Sequence, residues 1–166
     1  MCRLKIWIAG LVMLACTAPS AAQQADRPEM THERYAAYLT LFNAADPDYA
    51  DYYDRDIVFY HDPMFGVLRG REAILAFYRK LRGQLDEHVT ARTVVIDQEQ
   101  QIIAAELSTK LVAKVDGIKM PSGFLNKGDM IISEGTVYYA IKDGRITEIR
   151  SSISGGRKIL ASDVGK

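Results

Sequence analysis

The chain has 166 residues, with 21 basic against 21 acidic side chains, 48% hydrophobic residues and two cysteines. That length suits one domain with a real core and is short for two. The hydrophobic content argues against disorder, and balanced charge with no basic stripe excludes nucleic acid as a partner. The longest apolar run, roughly ten residues, falls short of the ~30 Å of a bilayer core.

Residues 1–22 read as a signal peptide. Arg3 and Lys5 form a short positive region, residues 6–15 an apolar stretch, and Ser20-Ala21-Ala22 the small-x-small pattern of a cleavage site. Cleavage after Ala22 predicts an exported protein, periplasmic or secreted, that begins at Gln23 with a flexible segment over residues 23–29. Met13-Leu14-Ala15-Cys16 offers a second route, because it resembles a lipobox whose cysteine is lipidated. Only that route would tie the protein to a membrane. Simple cleavage removes Cys2, Cys16 and Trp7, so neither disulfides nor cysteine chemistry are expected. Loss of Arg3 and Lys5 leaves 19 basic against 21 acidic residues and a mature charge of −2.

From Met30 the pattern is helical, with Tyr35, Tyr38, Leu39, Phe42 and Ala45 at three- and four-residue spacing. Asp46-Pro47 reads as an N-cap followed by proline at the first helical position, opening a short helix that runs to Tyr53. Residues 56–62 alternate as a strand. Val58, Tyr60 and Asp62 share one face, and Ile57, Phe59 and His61 share the other. Pro63 ends the strand, a loop runs to Gly70, and residues 71–82 form a third helix with Ile74, Phe77, Tyr78 and Leu81 as its apolar stripe.

After Gly83 the period changes to two. Strands are expected over residues 89–96, 102–115, 130–141 and 145–153, with residues 117–127 as loop. Lys142-Asp143-Gly144 is a hairpin turn, and the chain from residue 154 is a tail. The single domain thus spans residues 30–153. Three helices in the N-terminal half followed by an antiparallel meander make an α+β fold, with the helices on one face of the sheet.

Several chemistries lack their signatures. G-x-S-x-G, G-x-x-x-x-G-K and the dinucleotide fingerprint are missing. His32, His61 and His88 have no ligand spacing, so no metal and no cofactor are expected. Asp62 before Pro63 is either a turn cap or, if partly buried among Val58 and Tyr60, a carboxylate base with a raised pKa. Neighbours on a strand face opposite ways, which separates His61 from Asp62 and puts it on the outer face unless a bulge turns it inward.

Tyr53-Asp54-Arg55-Asp56 leading to His61-Asp62-Pro63, and Gly70-Arg71-Glu72-Ala73-Ile74 leading to Phe77-Tyr78, resemble the steroid delta-isomerases. Lys142-Asp143-Gly144-Arg145-Ile146 resembles their last hairpin. Together with the element order, this makes residues 31–153 similar to the nuclear transport factor 2-like superfamily, which includes SnoaL-like polyketide cyclases. The resemblance implies a cone-shaped, strongly curved antiparallel or mixed sheet with the helices packed on its concave face, and an apolar pocket at the open end.

It further implies Asp62 as proton-shuttling base and Tyr38 as donor to the developing enolate. Val58, Tyr60, Tyr78 and Phe42 would line the pocket. The isomerases also carry a protonated acid on the strand before the last hairpin, as in ketosteroid isomerase. Here that stretch is Thr136-Val137-Tyr138-Tyr139, so Tyr138 is the substitute donor and Glu134 the nearest carboxylate.

Three readings follow. The first is a cofactor-free isomerase, cyclase or dehydratase acting on a small hydrophobic carbonyl compound. The second is a binding module for a small hydrophobic ligand. The third is an oligomerisation domain, a homodimer in the simplest case, that buries Ile57, Phe59 and His61 between copies.

Overall fold

A computed structural model describes residues 28–61, 66–120 and 123–164. The signal peptide, Cys16 and Asp62 lie outside the described residues. Helix α1 (His32–Asn43) starts where the Thr31 hydroxyl accepts from the Arg34 N–H at 3.2 Å. It turns Tyr35, Tyr38 and Phe42 into the core. Asp46 caps a 3-10 helix (Pro47–Tyr52) by accepting from the Asp48 N–H. Strand β1 (Tyr53–Tyr60), the short β2 (Val67–Arg69) and α2 (Arg71–Arg82) follow. Gly70, at φ 85°, occupies a conformation most residues avoid as the chain enters α2, and its N–H reaches the Ile57 carbonyl.

The rest of the chain is strand: β3 (Leu85–Asp97), β4 (Ile102–Ala113), β5 (Ile118–Met120), β6 (Gly123–Leu125), β7 (Met130–Lys142) and β8 (Arg145–Ile159), then a 3-10 turn (Ala161–Asp163). The main sheet runs in the order β2-β1-β8-β7-β4-β3. Its pairings are antiparallel except β1 with β8, so the sheet is mixed. It is curved, it does not close, and the helices of the N-terminal half pack on its concave face. Asn43 fixes α1 to β3 by exchanging two 2.8 Å hydrogen bonds with the Val89 backbone. The β7–β8 turn uses Asp143 (φ 50°) and Gly144 (φ 67°), the left-handed pair that a two-residue hairpin needs.

The structure corrects several expectations. β3 begins at Leu85, four residues before the expected strand. The expected loop over 117–127 contains the β5–β6 pair, which covers a second small core of Leu85, Ala113, Ile118 and Leu125. β8 runs through the expected tail to Ile159, which pairs with Met130. A shift in β7–β8 register between Glu134 and Gly135 bends this edge. A side chain at Gly135 would come within 2.5 Å of the Ser152 carbonyl, so only glycine fits.

The two faces of β1 are reversed from the expectation. Ile57 and Phe59 are 0% and 5% exposed and belong to the main core. Val58 and Tyr60 lie on the other face, where the Arg150 guanidinium sits over the Tyr60 ring at 5.0 Å. Both alternating sets in β1 are apolar, so hydrophobicity does not say which faces in. The expected oligomer surface of Ile57, Phe59 and His61 is therefore interior: two are core and His61 lines a cavity.

Candidate functional site

Alternation along the curved sheet decides which side chains meet inside it. On β3, Glu87 and Val89 point inward; on β4, Leu107, Thr109 and Leu111 do so. On β7 the inward set includes Ile131, Ser133 and Val137, and on β8 it includes Ile149 and Ser151. With Tyr38, Phe42, Tyr53 and Tyr78 from the helical side, they enclose a cavity of about 360 Å³. That is the size and character of a small-molecule pocket: apolar walls with a few convergent polar groups.

The helical end is aromatic and tightly paired. Tyr38 and Tyr53 share a buried 2.9 Å hydroxyl–hydroxyl hydrogen bond, and Tyr35 donates to Tyr139 at 3.1 Å. Burial pushes the phenols of Tyr38, Tyr53, Tyr78 and Tyr139 well above their ordinary value, so all four stay protonated and able to donate. Arg82 closes this end. Its guanidinium lies 4.6 Å from the Phe42 ring centre, 5.3 Å from Tyr49 and 5.4 Å from Tyr78, and it donates to the Phe42 carbonyl at 2.6 Å.

Glu87 is a charged group that lies outside the strand expected over residues 89–96. Its side chain lines the cavity, and its Oε2 is sealed from solvent with no hydrogen-bond partner. Burial pushes its carboxyl up to about 7, against a smaller opposing pull from Arg82. Ser151 also has a sealed, unpartnered hydroxyl on the cavity wall. His61 lines the same wall, its ring 4.8 Å from Phe59 and 5.6 Å from Phe77. His61 and Ser151 follow the paired Tyr60 and Arg150 on adjacent parallel strands. No bulge after Phe59 is needed to bring His61 inward, because the second half of β1 already presents Ile57 and Phe59 to the interior.

The expected site residues therefore divide. Tyr38, Phe42 and Tyr78 line the cavity. Val58 and Tyr60 do not, for the reason of β1 parity. Tyr138 does not either: it pairs with Arg150 on the outer face and is 37% exposed, while its neighbour Tyr139 is the one turned inward. Glu134 borders the cavity, but its carboxylate accepts from Arg92 at 2.8 Å and Ser108 at 3.1 Å. Ser108 alternates away from the cavity between Leu107 and Thr109. Asp62 lies outside the described residues. Among those residues no cluster of His, Cys, Asp and Glu suits a metal ion.

Comparison with known proteins agrees with this architecture. Among curated proteins none matches the chain. Among solved structures, a delta 5-3-ketosteroid isomerase from Mycobacterium sp. superposes with a TM-score of 0.58 at 19% identity, over 75% of this chain and 95% of that one. A SnoaL-like polyketide cyclase from Agrobacterium tumefaciens gives 0.58 and 19%, over 75% and 92%. A computationally designed 17-OHP binder gives 0.59 and 17%, over 75% and 95%. At such identities the likeness is one of fold. The model of the SnoaL-like domain matches residues 35–149, most of the folded chain, and the protein belongs to this family within the nuclear transport factor 2-like superfamily.

Proposed function

We propose that the protein binds a small hydrophobic carbonyl compound in the sheet cavity and carries out cofactor-free acid/base chemistry on it, as an isomerase, cyclase or dehydratase. The observation that carries this reading is the cavity itself: about 360 Å³, walled by Leu107, Val137, Ile149 and aromatic rings, with an unpaired carboxyl inside. Apolar walls supply binding by burial, and a partnerless polar group in such a place is costly unless a ligand uses it. The protonated Tyr38–Tyr53 pair supplies a hydroxyl donor for an oxygen on which charge develops. Asp62 is the base that the isomerase resemblance implies, and undiminished turnover in Asp62→Asn would remove it from that role. The leader expected over residues 1–22 would carry this activity outside the cytoplasm, either free or anchored through a lipidated Cys16, and a homodimer is the expected assembly.

Binding of 2-naphthol, a planar hydroxylated probe that fits such a cavity, tests the pocket by fluorescence. The wild type should bind it, and Leu107→Trp, which fills the cavity, should not. Failure of the wild type to bind, or unchanged binding by Leu107→Trp, contradicts the reading. A non-catalytic binding module is the second reading. It is favoured by the lack of an acid in residues 136–139 and predicts naphthol binding with no turnover of any ketone.

A further inference from the structure

Glu87 stands where a purely structural carboxylate would not survive without a partner. Asp86 and His88 beside it are exposed, whereas alternation turns Glu87 into the cavity between Leu85 and Val89, two buried aliphatic side chains. Across the sheet its row continues through Leu111 to Ile131, again aliphatic. The cation whose charge acts on it, Arg82, is committed to the Phe42 carbonyl and to three aromatic rings, and the ion pairs among the described residues do not include Glu87. One carboxyl oxygen is sealed with no partner while the side chain borders open cavity. Leucine or glutamine would fill this volume at less cost, so the carboxyl is retained for what it does to a ligand.

We propose that Glu87 is a proton carrier of this cavity: its carboxylate takes a proton from the carbon beside the carbonyl of a bound apolar ketone, and the resulting acid returns it to that carbon or to a conjugated one. In the forward step the C–H electron pair becomes the enolate double bond, the carbonyl π pair moves to oxygen, and Glu87 gains the proton. The return step reverses each change, so no oxidant, reductant or further reactant enters. The phenols of Tyr38 and Tyr53, on the same cavity, remain protonated, and the one that accepts in their mutual hydrogen bond keeps its own O–H for the enolate oxygen. With its carboxyl pushed up to about 7, Glu87 holds and releases a proton with nearly equal ease at neutral pH, the condition for efficient transfer in both directions.

The proposal rests on the pocket reading above but fails separately from it. The test follows exchange of the α-protons of 2-tetralone in D2O by NMR, with 2-naphthol binding measured alongside. The wild type should accelerate exchange, with a rate that rises with pH through about 7 as the carboxylate forms. Glu87→Gln should still bind naphthol and lose at least ~100-fold in exchange rate. Wild-type exchange in Glu87→Gln with naphthol still bound overturns the assignment and leaves the pocket standing. So does a wild type that binds naphthol but does not speed exchange. Should Glu87→Gln fail to fold, a wild-type rate that is flat with pH across neutrality overturns the proposal by itself. Absence of naphthol binding to the wild type defeats the pocket and the proton carrier together.

Discussion

Two acidic residues at the same end of the sheet, one on β3 and one at the start of β7, show how the same functional group is put to different uses. Asp129, at the start of β7, is 6% exposed and fully partnered. It accepts from the Asn126 N–H at 3.0 Å and the Ala161 N–H at 2.9 Å, with Lys158 3.9 Å away. These bonds favour its charged form and hold its carboxyl below the ordinary value. Glu87 has an orphaned oxygen in an apolar cavity, and its carboxyl is pushed up to about 7. Asp129 staples the 3-10 turn after β8 to the 126–129 turn, next to the β7–β8 ladder that holds the chain beyond residue 153 on the sheet. Glu87 contributes nothing comparable to the fold. A carboxylate with both oxygens satisfied holds structure together, and the orphaned oxygen of Glu87 marks a place where a ligand is expected.

The contrast can be broken most directly through the pH dependence of stability. An ordinary glutamate titrates at 4.5, so between 4.5 and about 7 the unfolded chain has released the Glu87 proton while the folded protein keeps it. The stability of the wild type should therefore fall as pH rises through this window and level off above it, by up to ~3 kcal/mol from this group. Glu87→Gln removes the slope. The stability of the variant relative to wild type, from denaturant melts, should grow by that amount across the window, and an unchanged difference would mean an ordinary carboxylate.

Asp129 has the opposite sign. Its folded pKa is depressed, so its stabilisation is present above the ordinary carboxylate range and is lost as pH falls through the lowered value. Asp129→Ala should remove hydrogen-exchange protection at the Ala161 and Asn126 amides and leave the β3–β4 ladder protected. Global loss of protection would show that the staple is not local.

Tyr38→Phe deletes one hydroxyl of the Tyr38–Tyr53 pair and leaves the other buried without a partner, at a cost of about 1 kcal/mol. If the pair also serves the ligand, naphthol affinity should drop with it. The smallest effect is expected from Arg82→Lys, which keeps the charge but loses the planar contact with three rings. Naphthol binding should persist, whereas Arg82→Ala, which removes the charge that opposes burial, should move the Glu87 titration further upward.

Much of the fold is legible in the sequence because its signals are local. The apolar stripes of α1 and α2, the Thr31 and Asp46 caps and the Asp143-Gly144 turn each state an element without help from the rest of the chain. The site is less legible, because it depends on which strand face is inward. In β1 the sets Val58/Tyr60 and Ile57/Phe59 are equally apolar, so the orientation is settled by packing against Tyr78 and Ile149 rather than by composition. At the start of β3 the residues Asp86, Glu87 and His88 look like a polar turn. Counting back by two from Val89 does put Glu87 on the inner face with Leu85, and that was the available signal. Tyr138 and Tyr139 posed the same question, and Ile141 and Val137 answer it: the odd positions of β7 face the cavity.

Carbon-detected NMR of the Glu87 side-chain carboxyl in the intact protein, titrated with pH and assigned with Glu87→Gln, reads the central claim directly. A midpoint near 7 is the result predicted for a partnerless carboxyl in an apolar cavity, ready to take and return a proton. A midpoint at the ordinary 4.5 would contradict it, because the group would then be solvated or paired and Glu87 would carry no proton at neutral pH.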